Sequence, residues 1–284
     1  LPKQREFARL NMTYTIMSKR KLFYLIEKKI VSSWDDPRMP TISGMTKRGY
    51  PPKALINFVK KVGVAKRENT IDVSLLEFYV REELNKTCPR VMVVTNEIKL
   101  VITNYPEGEQ EKLEATNNPE DESQGKREIV FSKYLYIERE DFRETANRKF
   151  FRLTIGKEVR LKNAYIIKGD KCIKNKNGEI IEIQCTYDPK SKSGSNSEES
   201  KRKVKGTIHW VDIKSSTDVK INEYDRLFLS EKPEENQDLI KGINTSSKKR
   251  IVGKSEKYVS SLKKGQKVQF QRKGDYIVEK KKNG

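Results

Sequence analysis

The chain has 284 residues, a formal net charge of +20 and a pI near 9.6, with hydrophobic and charged residues at 35% each. It has no run of about 18 apolar residues, which excludes a membrane-spanning helix. Its three cysteines, an odd number, do not suit a disulfide framework. The positive charge favours a polyanion partner such as a nucleic acid, with a solvated lysine-rich surface as the alternative. We expect a soluble cytoplasmic protein that binds no membrane.

Residues 1–88 are predicted to be mainly helical. Apolar residues recur at helical spacing over 15–29 and 51–63, where the second stretch opens with two prolines and closes with a glycine. A third stretch, 71–86, carries apolar residues four positions apart. These patterns predict a helical subdomain. Because the sequence starts at Leu1 rather than Met, we also expect it to be a piece of a longer protein.

Further along the chain the pattern changes to short strands. Runs rich in β-branched residues at 91–95 and 99–103 predict two strands, and 130–138 predicts a third. Residues 107–122 are rich in acidic residues, proline and asparagine, and are predicted to form a loop.

Turn residues punctuate the second half. Asn177-Gly178 lies between two apolar runs and predicts a hairpin with a type I′ turn, and residues 265–278 predict another hairpin around Lys273-Gly274. Residues 188–203, rich in Ser, Lys and Glu, are predicted to form a flexible loop. Short strands separated by turns about every 8–12 residues favour small barrels over a parallel sheet.

A basic segment opens the first predicted helix. Met17-Ser18-Lys19-Arg20-Lys21 places a hydroxyl and three consecutive cations at a helix N-terminus. Backbone N–H groups and the helix dipole converge at such a position, which suits a phosphate. On these five residues alone, a solvated helix start is the simpler interpretation.

The flanking residues add a family resemblance. Residues 6–11, Glu-Phe-Ala-Arg-Leu-Asn, and 34–41, Trp-Asp-Asp-Pro-Arg-Met-Pro-Thr, together with the Met-Ser-Lys segment between them, resemble the second signature region of class I aminoacyl-tRNA synthetases in its glutaminyl and glutamyl form. The resemblance implies that this loop closes on ATP, with Mg²⁺ accompanying the nucleotide. It implies that Lys19 acts catalytically, by stabilising charge that develops on the phosphates during adenylate formation. The implied ATP-binding residues are Arg9, Leu10, Met17, Ser18 and Lys19.

Basic side chains also lie on the predicted strands. Residues 158–168 alternate, so Arg160 and Lys162 share the face opposite the apolar one and are placed to engage bases or phosphates. Arg152 follows two phenylalanines, which can stack on bases. Arg272 is three residues from Gln269, a spacing that does not share a strand face, so Arg272 must lie near a turn. Taken singly, such residues are more often surface groups than base readers.

A second resemblance bears on these residues. Residues 153–165, 204–211 and 224–228 look like the two anticodon-binding β-barrels of glutaminyl-tRNA synthetases, and 66–72 is similar to a stretch that lies along the inside of the tRNA L-shape. The resemblance implies tRNA contacts from two sets of side chains. Those at the anticodon are Arg90, Arg152, Arg160, Lys162, Gln269 and Arg272. Those inside the L-shape are Lys66, Asn69 and Thr70.

The resemblance covers essentially the whole chain and implies its fold. We expect an α+β, mostly β chain, in which a helical subdomain is followed by two small antiparallel β-barrels of the ribosomal-protein-like anticodon-binding type. Residues 1–88 are expected to end a catalytic domain and to include the ATP loop and a helical subdomain that contacts tRNA. Residues 89–145 with 224–284 are expected to form the proximal barrel, and 146–223 the distal barrel.

Two features depart from the family pattern. Phe151 and Lys162 stand where some members carry lysine and arginine, respectively. Since lysine lacks the planar guanidinium fork, base recognition at Lys162 is expected to be looser. The chain also ends at Gly284, before a family segment that contains Asn-Arg-Thr-Val, so the final barrel strand is expected to be missing or supplied differently.

The histidine content limits the expected chemistry. His209 is the only histidine, whereas class I synthetases place two in their first signature, so the nucleotide-binding half is expected to be absent. No metal-binding pattern is evident either. The resemblance implies a parent ligase whose partners are tRNA-Gln, ATP and glutamine, and a monomeric fragment that binds tRNA without charging it. Two alternatives stay open: an archaeal- or eukaryotic-type glutamyl-tRNA synthetase fragment, and a free-standing basic RNA-binding module.

Overall fold

The computed structural model describes residues 2–4, 6–236 and 238–280; the end of the expected proximal barrel, 281–284, lies outside them. The helices are α1 Lys19–Glu27, α2 Ile42–Arg48, α3 Pro52–Val62, α4 Val73–Thr87 and α5 Glu198–Lys201. The strands are β1 Leu10–Met12, β2 Asn69–Ile71, β3 Arg90–Val91, β4 Val93–Val94, β5 Glu97–Ile102, β6 Gln110–Thr116, β7 Lys126–Ser132, β8 Tyr134–Glu138, β9 Glu158–Leu161, β10 Ile166–Lys174, β11 Ile180–Tyr187, β12 Thr207–Ile208, β13 Trp210–Asp212, β14 Thr217–Tyr224, β15 Lys248–Ser255, β16 Lys267–Phe270 and β17 Gly274–Ile277.

The helical part follows its sequence signals. α3 begins at Pro52, whose missing N–H costs nothing in a first turn, and ends at Gly63, which adopts a positive φ of 69°. α4 begins after Asp72, whose side chain accepts a hydrogen bond from the backbone N–H of Ser74. α3 and α4 pack through a small apolar core that includes Phe58 and Val80. The predicted helical subdomain is therefore present.

The largest sheet has seven strands and nearly closes into a barrel. Its spatial order is β12, β9, β10, β11, β5, β8 and β13. The two edge strands, β12 and β13, are separated in the chain only by His209. The chain over 207–212 therefore pairs with β9 on one side and with β8 on the other, which joins the two edges. We call this sheet, together with the β6–β7 hairpin, the seven-stranded barrel.

A group of aromatic side chains packs together within the largely aliphatic core of the barrel. Phe131 of β7 is fully buried and lies edge-on to Trp210, with 5.3 Å between ring centroids. Tyr165 approaches Phe131 at 5.2 Å, and Tyr187 meets Tyr165 edge-on at 5.0 Å. Aromatic side chains bury large areas, and edge-on pairs add to that stabilisation. The hairpin that carries Phe131 is thus part of the barrel core.

The strand pairing corrects the expected division into barrels. β5 and β8 come from the stretch assigned to the proximal barrel, yet they pair with β11 and β13 from the stretch assigned to the distal one. The boundary expected between residues 145 and 146 therefore runs through one sheet. The barrels are also not wholly antiparallel, because β5–β11, β9–β12 and β3–β16 are parallel pairs. Hydrophobic runs predict strands but not their partners, which is why the division failed.

A second group of strands follows, which we call the C-terminal β unit. Its two three-stranded sheets have the orders β14-β15-β4 and β17-β16-β3. They enclose an apolar core that includes Val91, Val93, Ile221 and Phe270. The predicted hairpin around Gly274 is present, and Arg272 lies in its turn with a φ of 67°, as its spacing predicts.

Two local predictions were wrong. Residues 107–122 are not simply a loop, because β6 runs through them with Leu113 and Ala115 buried and the intervening glutamate outside. The hairpin at Asn177-Gly178 is present, but its turn is not type I′, since only Gly178 has a positive φ, of 79°. Gly178 donates to the carbonyl of Asn175 at 3.0 Å, which fits a type I turn followed by a left-handed glycine.

Residues 225–247, between β14 and β15, connect the C-terminal β unit to the helical part. Leu227 and Phe228 are buried against Ile16, Leu22 and Leu25. The segment therefore packs directly under the basic end of α1. None of the helices within the described residues is both long enough and apolar enough to cross a bilayer.

Candidate nucleic-acid interface

The basic loop leads into α1 as its sequence suggests. Ser18 is the N-cap residue and has an extended backbone conformation. Lys19 is the first helical residue, and it is exposed to solvent. Leu22 and Leu25, one turn further on, are buried and fix the helix to the rest of the molecule. The loop therefore presents the Lys19 ammonium to solvent at the positive end of a nine-residue helix, where an anion is favoured.

A carboxylate from residues 225–247 lies against the same loop. The Glu234 carboxylate accepts a hydrogen bond from the backbone N–H of Met17 at 3.1 Å. It also forms an ion pair with the Arg9 guanidinium, at 3.3 Å. The Lys21 ammonium donates to the Glu234 carbonyl at 2.9 Å. Two predicted ATP-binding residues, Arg9 and Met17, thus meet at one group that the sequence reasoning missed. No spacing signal could have found it, because the contact joins segments more than 200 residues apart.

Within the Trp-Asp-Asp-Pro-Arg stretch, Asp36 and Arg38 are held in a network of hydrogen bonds. Asp36 is 1% exposed and accepts from the backbone N–H groups of Ser32 and Arg38 and from the Arg38 guanidinium. Burial disfavours the ionised carboxyl, but these hydrogen bonds outweigh it and hold the pKa of Asp36 well below its usual range. Gly44 of α2 packs closely against this turn. A side chain would not fit there, because a Cβ would lie 2.6 Å from the Asp36 carbonyl oxygen.

Leu10, a predicted ATP-binding residue, is brought beside the predicted tRNA residues Asn69 and Thr70 by the pairing of β1 and β2. These strands pair in parallel, with Leu10 opposite Asn69 and Asn11 opposite Thr70. Asn69, Thr70 and Lys66 are all exposed, whereas Leu10 packs partly against the helical core. The pairing places the 10–12 segment directly beside the 69–71 segment.

Arg90 and Gln269 are neighbours on two parallel strands of the C-terminal β unit. The register of β3 and β16 sets them directly side by side. Arg90 pairs with Glu120 at 2.8 Å, and the Gln269 amide donates to Asn85 at 2.8 Å and to Asp275 at 3.2 Å. Two predicted anticodon residues that are far apart in the sequence thus share one surface.

Arg152 and Arg272 are brought together because both bind the same third residue. Both guanidiniums bind the carboxylate of Asp141, at 3.0 Å from Arg152 Nε and at 2.5 and 2.7 Å from the two terminal nitrogens of Arg272. The hydrogen bond to Asp141 raises the pKa of Arg272 above its ordinary value, although burial opposes this. Asp141 was not among the predicted site residues.

Arg160 and Lys162 lie on the face opposite the buried Val159 and Leu161, as strand alternation predicts. The Arg160 guanidinium donates to the carbonyls of Ser191 and Ser200 at 3.0 and 2.8 Å, so it anchors the 188–203 loop that contains α5. That loop is therefore tied to the barrel, although it was predicted to be flexible. Burial, with the nearby charge of Arg202, lowers the pKa of Arg160. Lys162 follows β9 and is exposed.

Buried charges lie between the seven-stranded barrel and the C-terminal β unit, which together we call the two β units; we call the region between them the seam. The sequence reasoning missed these charges as well. Glu138 is 1% exposed and accepts from the backbone N–H groups of Thr95 and Asn96, while Lys273 lies at 3.2 Å and His209 at 3.4 Å. Burial opposes ionisation, but the close contact with His209, the backbone hydrogen bonds and the Lys273 charge lower the pKa of Glu138 to about 2. Within the described residues, no group of three His, Cys, Asp or Glu side chains could hold a metal ion.

Comparisons with known proteins show which family this arrangement of helices, strands and basic side chains belongs to. Three family models match consecutive parts of the chain: "tRNA synthetases class I (E and Q), catalytic domain" over 1–86, and two for the "anti-codon binding domain" of the same class over 88–188 and 207–279. The chain belongs to the class I tRNA synthetases for E and Q, glutamate and glutamine.

Within that family the chain is similar to proteins named glutamine–tRNA ligase. It is 50% identical to the ligase of Clostridium perfringens over 280 residues, which covers 98% of this chain and 50% of that protein. It is 50% identical to the ligase of Rhodopirellula baltica over 281 residues, covering 98% of this chain and 46% of that protein. It is 47% identical to the ligase of Psychromonas ingrahamii over 280 residues, covering 99% of this chain and 50% of that protein. The chain thus spans about half the length of these relatives.

Proposed function

We propose that this chain is the tRNA-binding C-terminal portion of a glutamine–tRNA ligase. One observation carries the proposal. Arg90 lies beside Gln269, and Arg152 meets Arg272, so predicted anticodon residues from remote parts of the sequence converge in two pairs. Guanidiniums and amides held in fixed directions are the groups that recognise base edges. The similarity to glutamine–tRNA ligases along the whole chain supports the same proposal.

The proposal assigns a role to each part. Residues 1–88 would end the catalytic domain, carrying the ATP loop and helices that contact the inside of the tRNA through Lys66, Asn69 and Thr70. The C-terminal β unit, which contacts α2 and α4, would be the proximal anticodon-binding unit. The seven-stranded barrel would be the distal one. The remaining anticodon contacts would come from Arg160 and Lys162, with Arg160 limited by its bonds to the 188–203 loop.

The chemistry proposed for the whole ligase has two steps. The glutamine carboxylate attacks the α-phosphate of ATP, which forms glutaminyl adenylate and releases pyrophosphate. A terminal ribose hydroxyl of tRNA-Gln then attacks the activated carbonyl and releases AMP. Lys19 would stabilise charge on the phosphates from the exposed start of α1, while Arg9, Leu10, Met17 and Ser18 would line the adenine and ribose side. Mg²⁺ would enter with ATP as part of the substrate.

A binding assay with this chain tests the proposal. We expect selective binding of a tRNA-Gln transcript, with affinity that falls as salt rises, because phosphate contacts displace counterions. A transcript with the same body and a replaced anticodon should bind more weakly. Equal affinity for both transcripts would remove the anticodon-binding role. We also expect no ATP–pyrophosphate exchange by this chain; measurable exchange would contradict its assignment as a binding portion.

The family description covers glutamate as well as glutamine, so a glutamyl-tRNA synthetase is the second candidate. Its anticodon target differs from that of the glutamine enzyme. Tighter binding of a tRNA-Glu transcript than of tRNA-Gln would select it. Equal binding of unrelated RNAs of the same length would instead select a free-standing RNA-binding module.

A further inference from the structure

Asp141 is a buried carboxylate at the seam between the two β units. It lies in the short 3-10 turn Arg139–Asp141 that follows β8, and it is 1% exposed. A carboxylate taken out of water must be matched by donors or it destabilises the fold. Both of its oxygens are used by side chains: Oδ2 accepts from Arg272, and Oδ1 accepts from Arg272 and from Arg152.

The two arginines reach Asp141 from different parts of the molecule. Arg152 precedes β9 of the seven-stranded barrel, whereas Arg272 lies in the β16–β17 turn of the C-terminal β unit. Arg272 binds in the two-pronged manner that fixes a guanidinium in one plane, and Arg152 binds through Nε. Their side chains keep 38% and 32% exposure for Arg152 and Arg272, so both present donors to solvent.

The backbone at Arg272 gives independent support. Its φ is 67°, in the left-handed region that a residue with a long side chain seldom adopts. Such a conformation persists only when the surroundings impose it, and it clusters where side chains must be aimed. Here it brings the Arg272 guanidinium onto Asp141, next to the ring nitrogen Nδ1 of His209 at 3.4 Å.

We propose that Asp141 is a positioning residue for anticodon recognition, which holds Arg152 and Arg272 as one pair of donors that spans both β units. Asp141 touches no RNA itself; it fixes the direction of two guanidiniums and offsets one of their two like charges. This inference rests on the proposed function, since it assigns the carboxylate that organises part of the anticodon-binding surface. It implies that the two β units must be docked on each other before one base can be read.

The substitution Asp141→Asn tests the inference, because charge and geometry predict opposite results. The change raises the formal net charge from +20 to +21, so simple attraction to phosphates would tighten RNA binding. If Asp141 positions the arginines, binding of tRNA-Gln weakens while binding of unrelated RNA does not. We expect discrimination between tRNA-Gln and transcripts changed at single anticodon bases to fall by about 10-fold at one position.

Glu256→Gln is the matched control. Glu256 is 7% exposed and binds Arg127 at 2.8 Å, but that guanidinium is itself buried, with 4% side-chain exposure, and cannot reach RNA. This variant loses a buried carboxylate–guanidinium contact of the same kind, and it should discriminate as the unsubstituted chain does. Equal discrimination by Asp141→Asn and the unsubstituted chain would overturn the inference, as would an equal loss for every anticodon.

Failure of the proposed function and failure of the variant to fold can both be distinguished from failure of the inference. An unsubstituted chain that fails to distinguish anticodons would remove the proposed function itself, and the inference with it. If Asp141→Asn does not fold, as judged by circular dichroism, the Arg152→Lys and Arg272→Lys single and double variants decide. Arginines joined by one carboxylate should act as a unit, so the double variant should lose little more than the worse single variant. Additive losses would contradict a shared positioning residue.

Discussion

The basic loop before α1, proposed to bind ATP, and the seam between the β units hold their cations in opposite ways. At the loop, Lys19 is exposed at a helix start, and the Glu234 carboxylate binds the loop through Met17 N–H and Arg9. At the seam, Asp141 and Glu138 are both 1% exposed and bind Arg152, Arg272 and Lys273 directly. A charge that acts on phosphate needs proximity, whereas a base edge demands a fixed direction. The four predictions below test this contrast.

The largest effect is expected from Lys19→Ala in the full-length ligase. Losing one preorganised charge stabiliser should lower the rate of adenylate formation by about 10²–10³-fold. ATP–pyrophosphate exchange measures this step. Lys28→Ala, at the opposite end of α1, removes the same charge away from the loop and should leave exchange nearly unchanged. Equal rates for the Lys19 variant and the unsubstituted enzyme would rule out the assigned role.

The buried Glu138 carboxyl at the seam should make the free energy of unfolding depend on pH. The pKa of Glu138 falls from 4.5 to about 2 on folding. A depressed carboxyl pKa contributes stability above its unfolded value, and that stability disappears as pH falls through the folded value. We expect Glu138 to contribute about 3 kcal/mol at neutral pH and to lose it between pH 4.5 and 2.

Urea unfolding at a series of pH values measures this contribution. Comparing the unsubstituted chain with Glu138→Gln isolates the one carboxyl, because the glutamine variant cannot titrate there. The difference in free energy of unfolding between them should shrink as the solution is acidified. A difference that stays constant from pH 7 to pH 2 would show that Glu138 does not titrate in this range.

Arg160→Ala separates base recognition from loop anchoring, with an expected cost of about 1–3 kcal/mol in tRNA binding. Because Arg160 donates to the carbonyls of Ser191 and Ser200, the variant should also release the 188–203 loop, which limited proteolysis detects. Weaker discrimination at one anticodon base would support direct reading. A uniform loss for all anticodons, with a released loop, would assign Arg160 to anchoring alone.

The smallest effect is expected from Glu234→Gln. The variant keeps the shape of the side chain but loses its charge, so the bonds from Met17 N–H and Arg9 weaken by about 1 kcal/mol or less. Hydrogen exchange at the Met17 amide should accelerate several-fold, with little change in global stability. Glu235→Gln is the control, since Glu235 pairs with Lys232 on the surface. Unchanged exchange at Met17 would contradict the contact.

Local signals in the sequence located most elements but few partners. Proline and glycine marked both ends of α3, and the spacing of Gln269 and Arg272 put the latter in a turn. The register that sets Arg90 beside Gln269 could not be read, because strand partners depend on packing between remote segments. For the same reason the sequence did not show that β5 and β8, expected in the proximal barrel, pair with β11 and β13.

Seven-residue α2 was not predicted at all, since it is too short and too polar for a helical period to appear. The site residues followed from a family resemblance rather than from spacing, and their roles remain predictions. The carboxylates that orient them, Asp141 and Glu234, were missed because a lone acidic residue carries no signal until its partners are known.

The central claim is that the β units grip the anticodon while the helical part lies along the inside of the tRNA. Hydroxyl-radical footprinting of a tRNA-Gln transcript bound to this chain tests it most directly. We predict protection of the anticodon loop and of the inner face of the L-shape, with the outer face cleaved as in free tRNA. An anticodon loop that remains fully accessible in the saturated complex would contradict the account.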